Sequence, residues 1–407
     1  MIIIRKEKLP VVVQHYISQG LLKLFSENKN SVFEFNIKND KIYRTAISTT
    51  MSDKKTYEHP FLEDNALENA FKKYEDIYIP QIKEIVTLLD NNDVVKVKGK
   101  IESLMKYILL FYYKSGAIMY EFSDNNEFTK EEVIENVLKG ISDFRYLERL
   151  SSTIIHNYQF LIIKSPESEL ALSDQYVSTA SLNCKGMISN YSNRTIGFTN
   201  SLILIPLSSK YYAIYYNGNF NLNKPIHNSE IYCLEQVDVL SINKVIVRNS
   251  YRKCIAMHQD DLEKIKSFKS NVSSPTGIIM KYASGAYHSC TTKKEVFFYD
   301  IDEDIYNNYI KYCTKLIEYQ EKNKRPIHRN DMCICGSGKK YKKCCREKYQ
   351  QSKFIMDMIQ KGKSDWIGIK GGCVEKTINE FWGLDGDLPK TPQELIAGLR
   401  KLGIKDL

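Results

Sequence analysis

Apolar and polar positions alternate with different periods along this chain, and each change of period marks a predicted element. The opening stretch VVVQHYISQGLLKLFS fits a strand or extended lead into a short helix. In SVFEFNIKNDKIYRT apolar and polar residues alternate on both sides of Asn39-Asp40, which predicts a hairpin. From about Asp64 to Leu89 the apolar positions recur at helical spacing, with Pro80 marking a kink or restart. Two more helical stretches are expected near residues 100–122 and 130–150.

The pattern then shortens. YQFLIIKS, NSLILIPLS and KYYAIYY are rich in Ile, Phe and Tyr and are bounded by Gly, Asn, Ser or Pro, as strands are. Helical character returns over 233–248 and 259–269, followed by the strand-like GIIMKY and EVFFYD. A long helix is expected from about Asp302 to Glu321, with Ile305, Tyr309, Cys313, Leu316 and Ile317 on one face. Near the end, TPQELIAGLRKLGI has the marks of a short capped helix: Thr391 as N-cap, Pro392 at the first helical position and Glu394 completing a capping box. The expected fold class is α+β: a mixed helical and β body over 1–320, a basic linker over 321–332, a small cysteine-rich knuckle over 333–350 and a helical tail over 351–407.

Composition changes this picture in one place. With 407 residues, 43% of them hydrophobic, the chain can build a sizeable core. It lacks an apolar run of the ~20 residues needed to span a bilayer. The start, MIIIRKEKLP, is too short for a secretory signal, so a cytoplasmic protein without membrane contact is expected. Net charge is +9, and the segment Glu321–Lys363, with 13 basic and four acidic residues, carries all of it, leaving residues 1–320 near neutrality. Six cysteines (184, 233, 254, 290, 313 and 373) stand singly and are expected as small buried hydrophobes in a reducing compartment.

The other four cysteines cluster in CICGSGKKYKKCC, residues 333–345. A phosphate loop would need G-x-x-x-x-G-K-[ST] after a strand. Here the first glycine position is Cys333, the Ser/Thr position is Lys340, and no apolar strand precedes them. A metal fits instead. Cys333, Cys335, Cys344 and Cys345 can surround one tetrahedral Zn²⁺, with Gly336 and Gly338 letting the backbone turn tightly past it. Four protein ligands leave no position for water, so the predicted zinc is structural. The lysines around it either offset the −2 charge of a Zn(Cys)₄ centre or contact nucleic acid through segment 321–363, with Tyr341 and Tyr349 able to stack on bases.

This stretch resembles the SEC-C motif, C-x-C-x-S-G-x-x-x-K-x-C-[CH]: Cys333, Cys335, Ser337, Gly338, Lys343 and the Cys344-Cys345 pair fall on or near its positions. The motif occurs in many bacterial proteins and in its best-known setting binds protein partners, so the resemblance implies a protein or ribonucleoprotein partner for the knuckle. Over roughly residues 10–260 the body is similar to a second bacterial family, the domain of unknown function 4238. The likeness rests on His15-Tyr16-Ile17-Ser18-Gln19, the hairpin at 31–45, Glu75 in KKYEDIYIP, Ser173-Asp174-Gln175-Tyr176 and Pro206-Leu207-Ser208-Ser209. Three prolines of that family's pattern are replaced, by Ser18, Gln175-Tyr176 and Ser209.

Among these positions His15, Glu75 and Asp174 are candidate catalytic residues. One imidazole and two carboxylates could hold a second divalent metal or do acid–base work, as in a metal-dependent nuclease or other phosphodiester hydrolase. Equally, His15 could fix the N-terminal turn, Glu75 lie on a solvated face and Asp174 cap a turn. Two functions therefore stand side by side: a zinc-knuckle protein that binds a partner, or a hydrolase. Phage defence is a setting suggested by analogy with other mosaic bacterial chains.

Overall fold

A computed structural model of the chain describes residues 13–60, 62–116, 120, 129, 131, 134, 144–183, 196–227, 230–269, 276–281, 287–292 and 296–361. Strand β1 (Val13–His15) pairs antiparallel with β4 (Ser52–Lys54), setting His15 opposite Ser52. Between them lie a one-turn helix α1 (Gln19–Leu22) and the predicted hairpin, β2 (Ser31–Asn36) and β3 (Lys41–Ala46). The Ser18 hydroxyl caps α1 by accepting the Gly20 N–H at 3.2 Å. At the hairpin turn the Asn36 side chain accepts the Asn39 N–H at 3.0 Å and Asp40 takes a positive φ of 55°.

Helix α2 (Ala66–Asp90) runs unbroken through Pro80 rather than restarting there. Tyr78, Ile79, Ile82, Ile85 and Leu89 keep the same face on the core past the proline, and this packing outweighs one missing backbone hydrogen bond. Helix α3 (Val94–Lys114) is capped by Asp93, which accepts the Lys96 N–H at 3.2 Å. Helix α4 (Phe144–Asn157) packs on α3.

The larger sheet contains β5 (Gln159–Lys164), β7 (Ser178–Ser181), β8 (Ser201–Pro206), β9 (Tyr211–Asn217) and β10 (Ile231–Cys233) in the order β10-β5-β9-β8-β7. All of β8 and all but the last residue of β9 are buried, so the centre of this sheet is covered on both faces. Asp90 ties the end of α2 to the start of β9, accepting from Lys210 at 2.7 Å and the Tyr211 hydroxyl at 2.9 Å. A second, antiparallel sheet adds β6 (Leu172–Ser173) and β11 (Lys253–Ala256) to the hairpin in the order β3-β2-β11-β6. Helix α5 (Gln236–Asn249) opens with a Glu235/Asp238 capping box and packs on β6 and β7. Helix α6 (Gln259–Ile265) covers β11, β2 and β3. The body is therefore mixed α+β around one continuous core.

Strands β12 (Thr276–Lys281) and β13 (Tyr287–Thr292) form a separate hairpin. The expected strand EVFFYD is not one: Phe297 makes a single bridge to Ser181 before α7 (Asp300–Asn323) begins. Ion pairs from Lys244 to Asp300 and from Arg248 to Glu303 fasten the start of α7 to α5. Helix α8 (Cys345–Lys361) returns along it. Tyr349 stacks on Tyr309 at 6.5 Å, and Met356 is buried against Phe297 and Tyr306, a pairing order that makes the two helices antiparallel. Ile317, placed by sequence on the packed face of α7, is exposed. The tail helix expected over 391–403 lies outside the described residues. Of the single cysteines, Cys254 is buried as expected, whereas Cys233 is exposed.

Candidate metal centre

At about 1.5 Å per residue, the 24-residue helix α7 is about 36 Å long, and the cysteine cluster sits at its far end. Residues 324–331 are not a loose tether there. The Asp331 carboxylate accepts from the Arg325 guanidinium at 2.6 Å, the His328 N–H at 2.8 Å and the Tyr319 hydroxyl of α7 at 3.0 Å. Arg325 above all holds that carboxyl well below the usual range. The knuckle then folds on itself through backbone bonds: Cys333 N–H to Lys339 C=O at 2.8 Å, Tyr341 N–H to Asp331 C=O at 2.8 Å and Lys342 N–H to Arg329 C=O at 2.9 Å. Gly336 and Gly338 have φ of 75° and 71°, a region that favours glycine, and an added Cβ at either would meet nothing within 4 Å. Backbone conformation alone asks for glycine there.

The four ligand atoms lie within 4.8 Å of one another. Cys335 Sγ is 3.5 Å from both Cys333 Sγ and Cys344 Sγ. Sulfurs ~2.3 Å from one tetrahedral zinc would be about 3.8 Å apart. The thiols are unbridged, and a disulfide would need about 2.05 Å. The donor set and its spacing thus fit a single Zn²⁺. Hydrogen bonding with Ser337, and then with Cys333 and Cys344, draws the Cys335 thiol down to about 6. Burial pushes Cys345 the other way, so a bound cation is what would let it ionise. Cys345 is also the first residue of α8, and that helix passes without interruption from the knuckle into 351–361. Tyr341, 6% exposed, packs with Tyr312, Leu316 and Ile327 beneath the site.

The candidate body residues each find a different partner. His15 Nε2 donates to the Ile47 carbonyl at 3.2 Å in the neutral form. Glu75 is the counter-ion of Lys114 at 2.9 Å, a lysine that is 0% exposed and lies over the rings of Phe71, Tyr57 and Phe111. Asp174, fully buried, accepts the backbone N–H groups of Tyr251, Arg252 and Lys253 at 2.8, 2.7 and 2.9 Å. Burial pushes its carboxyl up, and those three bonds act in the opposite direction. Glu75 is near enough for its charge to favour a protonated His15, and the Lys253 ammonium is the charge that favours an ionised Asp174. Among the described residues the one cluster of three or more potential ligands is the cysteine quartet.

The sequence model described as "Protein of unknown function (DUF4238)" matches residues 13–261, more than half of the chain. The chain belongs to the DUF4238 family. The SEC-C motif matches residues 329–347, which run from Arg329, whose carbonyl closes the knuckle, to the first turn of α8. No curated protein and no solved structure matches. No helix among the described residues is long and apolar enough to cross a membrane.

Within the DUF4238 body, Lys114 and Glu34 were invisible to sequence reasoning. Glu34, 1% exposed, accepts from the Tyr43 and Thr50 hydroxyls at 2.6 Å each. Burial holds the His15 imidazole below its usual 6.5. The unfolded chain therefore takes up the proton first. Stability linked to His15 is complete above about pH 6.5 and falls as the pH drops through the folded value. We expect the melting temperature of the body to decline as the pH is lowered below about 6.5, and His15→Gln to flatten that limb in a melting series.

Proposed function

We propose that this is a structural-zinc protein in which the α7–α8 hairpin carries a basic knuckle to a polyanionic face of a protein or ribonucleoprotein partner in the cytosol. The supporting observation is where the charge sits. Arg329, Lys339, Lys340, Lys343, Arg346 and Lys348 are all exposed around the sulfurs, while the body is close to neutral. A Zn(Cys)₄ centre would offset about two of these charges, leaving the rest for a partner. Affinity gained this way falls with salt, by a slope of about −0.7 to −0.9 per phosphate neutralised. The zinc orders the knuckle and does no chemistry.

The test uses the full chain with labelled single-stranded RNA, duplex DNA and an acidic polypeptide. The reading predicts salt-sensitive binding to at least one of them, weakened at least about tenfold when Lys339, Lys340 and Lys343 are together replaced by Glu. Binding that the triple reversal leaves intact would contradict it.

For His15, Glu75 and Asp174 the partners described above support roles in the framework of the body. The alternative is a metal-dependent nuclease or other phosphodiester hydrolase holding a second divalent metal on the same three residues. On its side stands the electrostatic proximity of Glu75 to His15. It predicts cleavage of DNA or RNA with Mg²⁺ or Mn²⁺ that His15→Ala abolishes. Phage defence is a setting that would employ either activity.

A further inference from the structure

A cleft of about 760 Å³ opens on the body, remote in sequence from the knuckle. Its volume falls in the ~300–1,000 Å³ range of sites for small ligands. The β2–β3 turn contributes Lys38 and Asn39, β4 contributes Ser52 and Asp53, and the chain entering β11 contributes Tyr251, Arg252 and Lys253. Lys269, after α6, completes the rim. Four of the lining side chains are cationic and one, Asp53, is anionic. Asp53 already accepts the Tyr120 hydroxyl at 2.7 Å. Two of the cations are steered by carboxylates outside the cleft: Lys253 leans on buried Glu34 at 3.6 Å, and Lys269 pairs with Asp40, which Lys266 also approaches at 3.8 Å.

The wall is held rigidly. Asp174 grips three consecutive backbone N–H groups from behind the cleft, at Tyr251, Arg252 and Lys253. Ile37 N–H donates to the Arg252 carbonyl at 2.9 Å, binding the wall to the hairpin. The Arg252 guanidinium lies over the Tyr120 ring at 3.5 Å, which fixes its plane. A planar donor set in this way is suited to an oxyanion, and the lysines supply charge without demanding one geometry.

We infer that this cleft binds a small ligand carrying a polyphosphate chain, with Arg252 as the orienting donor and Lys38, Lys253 and Lys269 sharing the charge. The inference is independent of the zinc knuckle and of any partner bound there. It also gives Asp174 a positioning role: its carboxylate keeps the Arg252 backbone where the side chain can reach the ligand.

Calorimetric titration of the full-length protein with sodium tripolyphosphate and, separately, with a nucleoside triphosphate tests this. One saturable site per chain is expected for at least one probe, weakened at least about tenfold by Arg252→Gln. Lys38 is exposed, so Lys38→Glu alters the site without touching the core and is expected to weaken binding in the same direction. Equal affinity for the two probes would show that the phosphate chain alone is recognised, and preference for the nucleotide that its nucleoside is recognised as well; both support the cleft. Lys339→Glu, on the knuckle, should leave the titration unchanged. Absence of saturable binding for both probes would overturn the inference. So would binding that survives both cleft substitutions, or that is lost in Lys339→Glu, since the knuckle would then be the anion site.

Discussion

Replacing Cys345 by Ser is expected to strip zinc from the chain and melt the knuckle while the body keeps its own unfolding transition. Cys345 is 5% exposed and serves twice, as a ligand and as the first residue of α8. Without a cation its buried thiol stays protonated, and a serine hydroxyl is a far poorer ligand for zinc. Structural zinc contributes on the order of 10–16 kcal/mol to small Cys-rich folds. Little else holds this one together: one buried tyrosine, a few backbone bonds and the Asp331 hub. Hydrogen exchange reads the result directly. The amides of Cys333, Tyr341, Lys342 and Cys344, each bonded at 2.8–3.1 Å, should lose protection, and those of β8 and β9 should not. Retained protection in the knuckle of Cys345→Ser would mean that the metal is not what folds it.

The second large effect is in the body. Asp174→Ala removes one acceptor from three buried backbone N–H groups at once. Each unsatisfied donor costs about 1–3 kcal/mol, and breaking so connected a site typically costs about 3–5 kcal/mol in total. For a body of this size that lowers the melting temperature by roughly 10 °C. Asp174→Asn should fall between the two, because its amide nitrogen would face N–H groups that need an acceptor. A catalytic Asp174 gives the opposite pattern, a stable variant that no longer cleaves nucleic acid. Thermal melts and a cleavage assay on the same preparation separate the two roles. A shift smaller than about 2 °C would contradict the structural one.

How far the chain could be read in advance follows from how local each signal is. The β2–β3 hairpin needs only alternation around Asn39-Asp40, and the Tyr- and Ile-rich runs that became β5, β8 and β9 announce themselves by composition. The four clustered cysteines lie within 13 residues, so spacing alone gathered them. By contrast, β6, β7, β10 and β11 have two to four residues each, too few for a period to show. Pro80 looked like a break because a local rule was applied where tertiary packing decides. EVFFYD has the residues of a strand, but its neighbour offers a single bridge at Ser181 before Asp300 starts α7.

Charge was the least legible feature. Glu75 reads as a solvated or catalytic acid until Lys114, 39 residues away, is seen buried beside it among three aromatic rings. Asp331 sat in what read as a linker, yet it joins Arg325, His328 and Tyr319 into the base of the knuckle. Arg252 and Lys269 gave no motif at all, because the cleft they share is assembled from five separate stretches of chain. For Glu75 and for the cleft the partners are distant in sequence, and only folding brings them near.

The most direct test is the metal content of the full-length protein purified without added zinc and passed through a desalting column. One zinc per chain is expected, released by a strong chelator together with four thiols that become reactive in step with it. Less than stoichiometric zinc in the native protein, or four thiols that react freely before any chelator is added, would contradict the metal-centred account of these four cysteines.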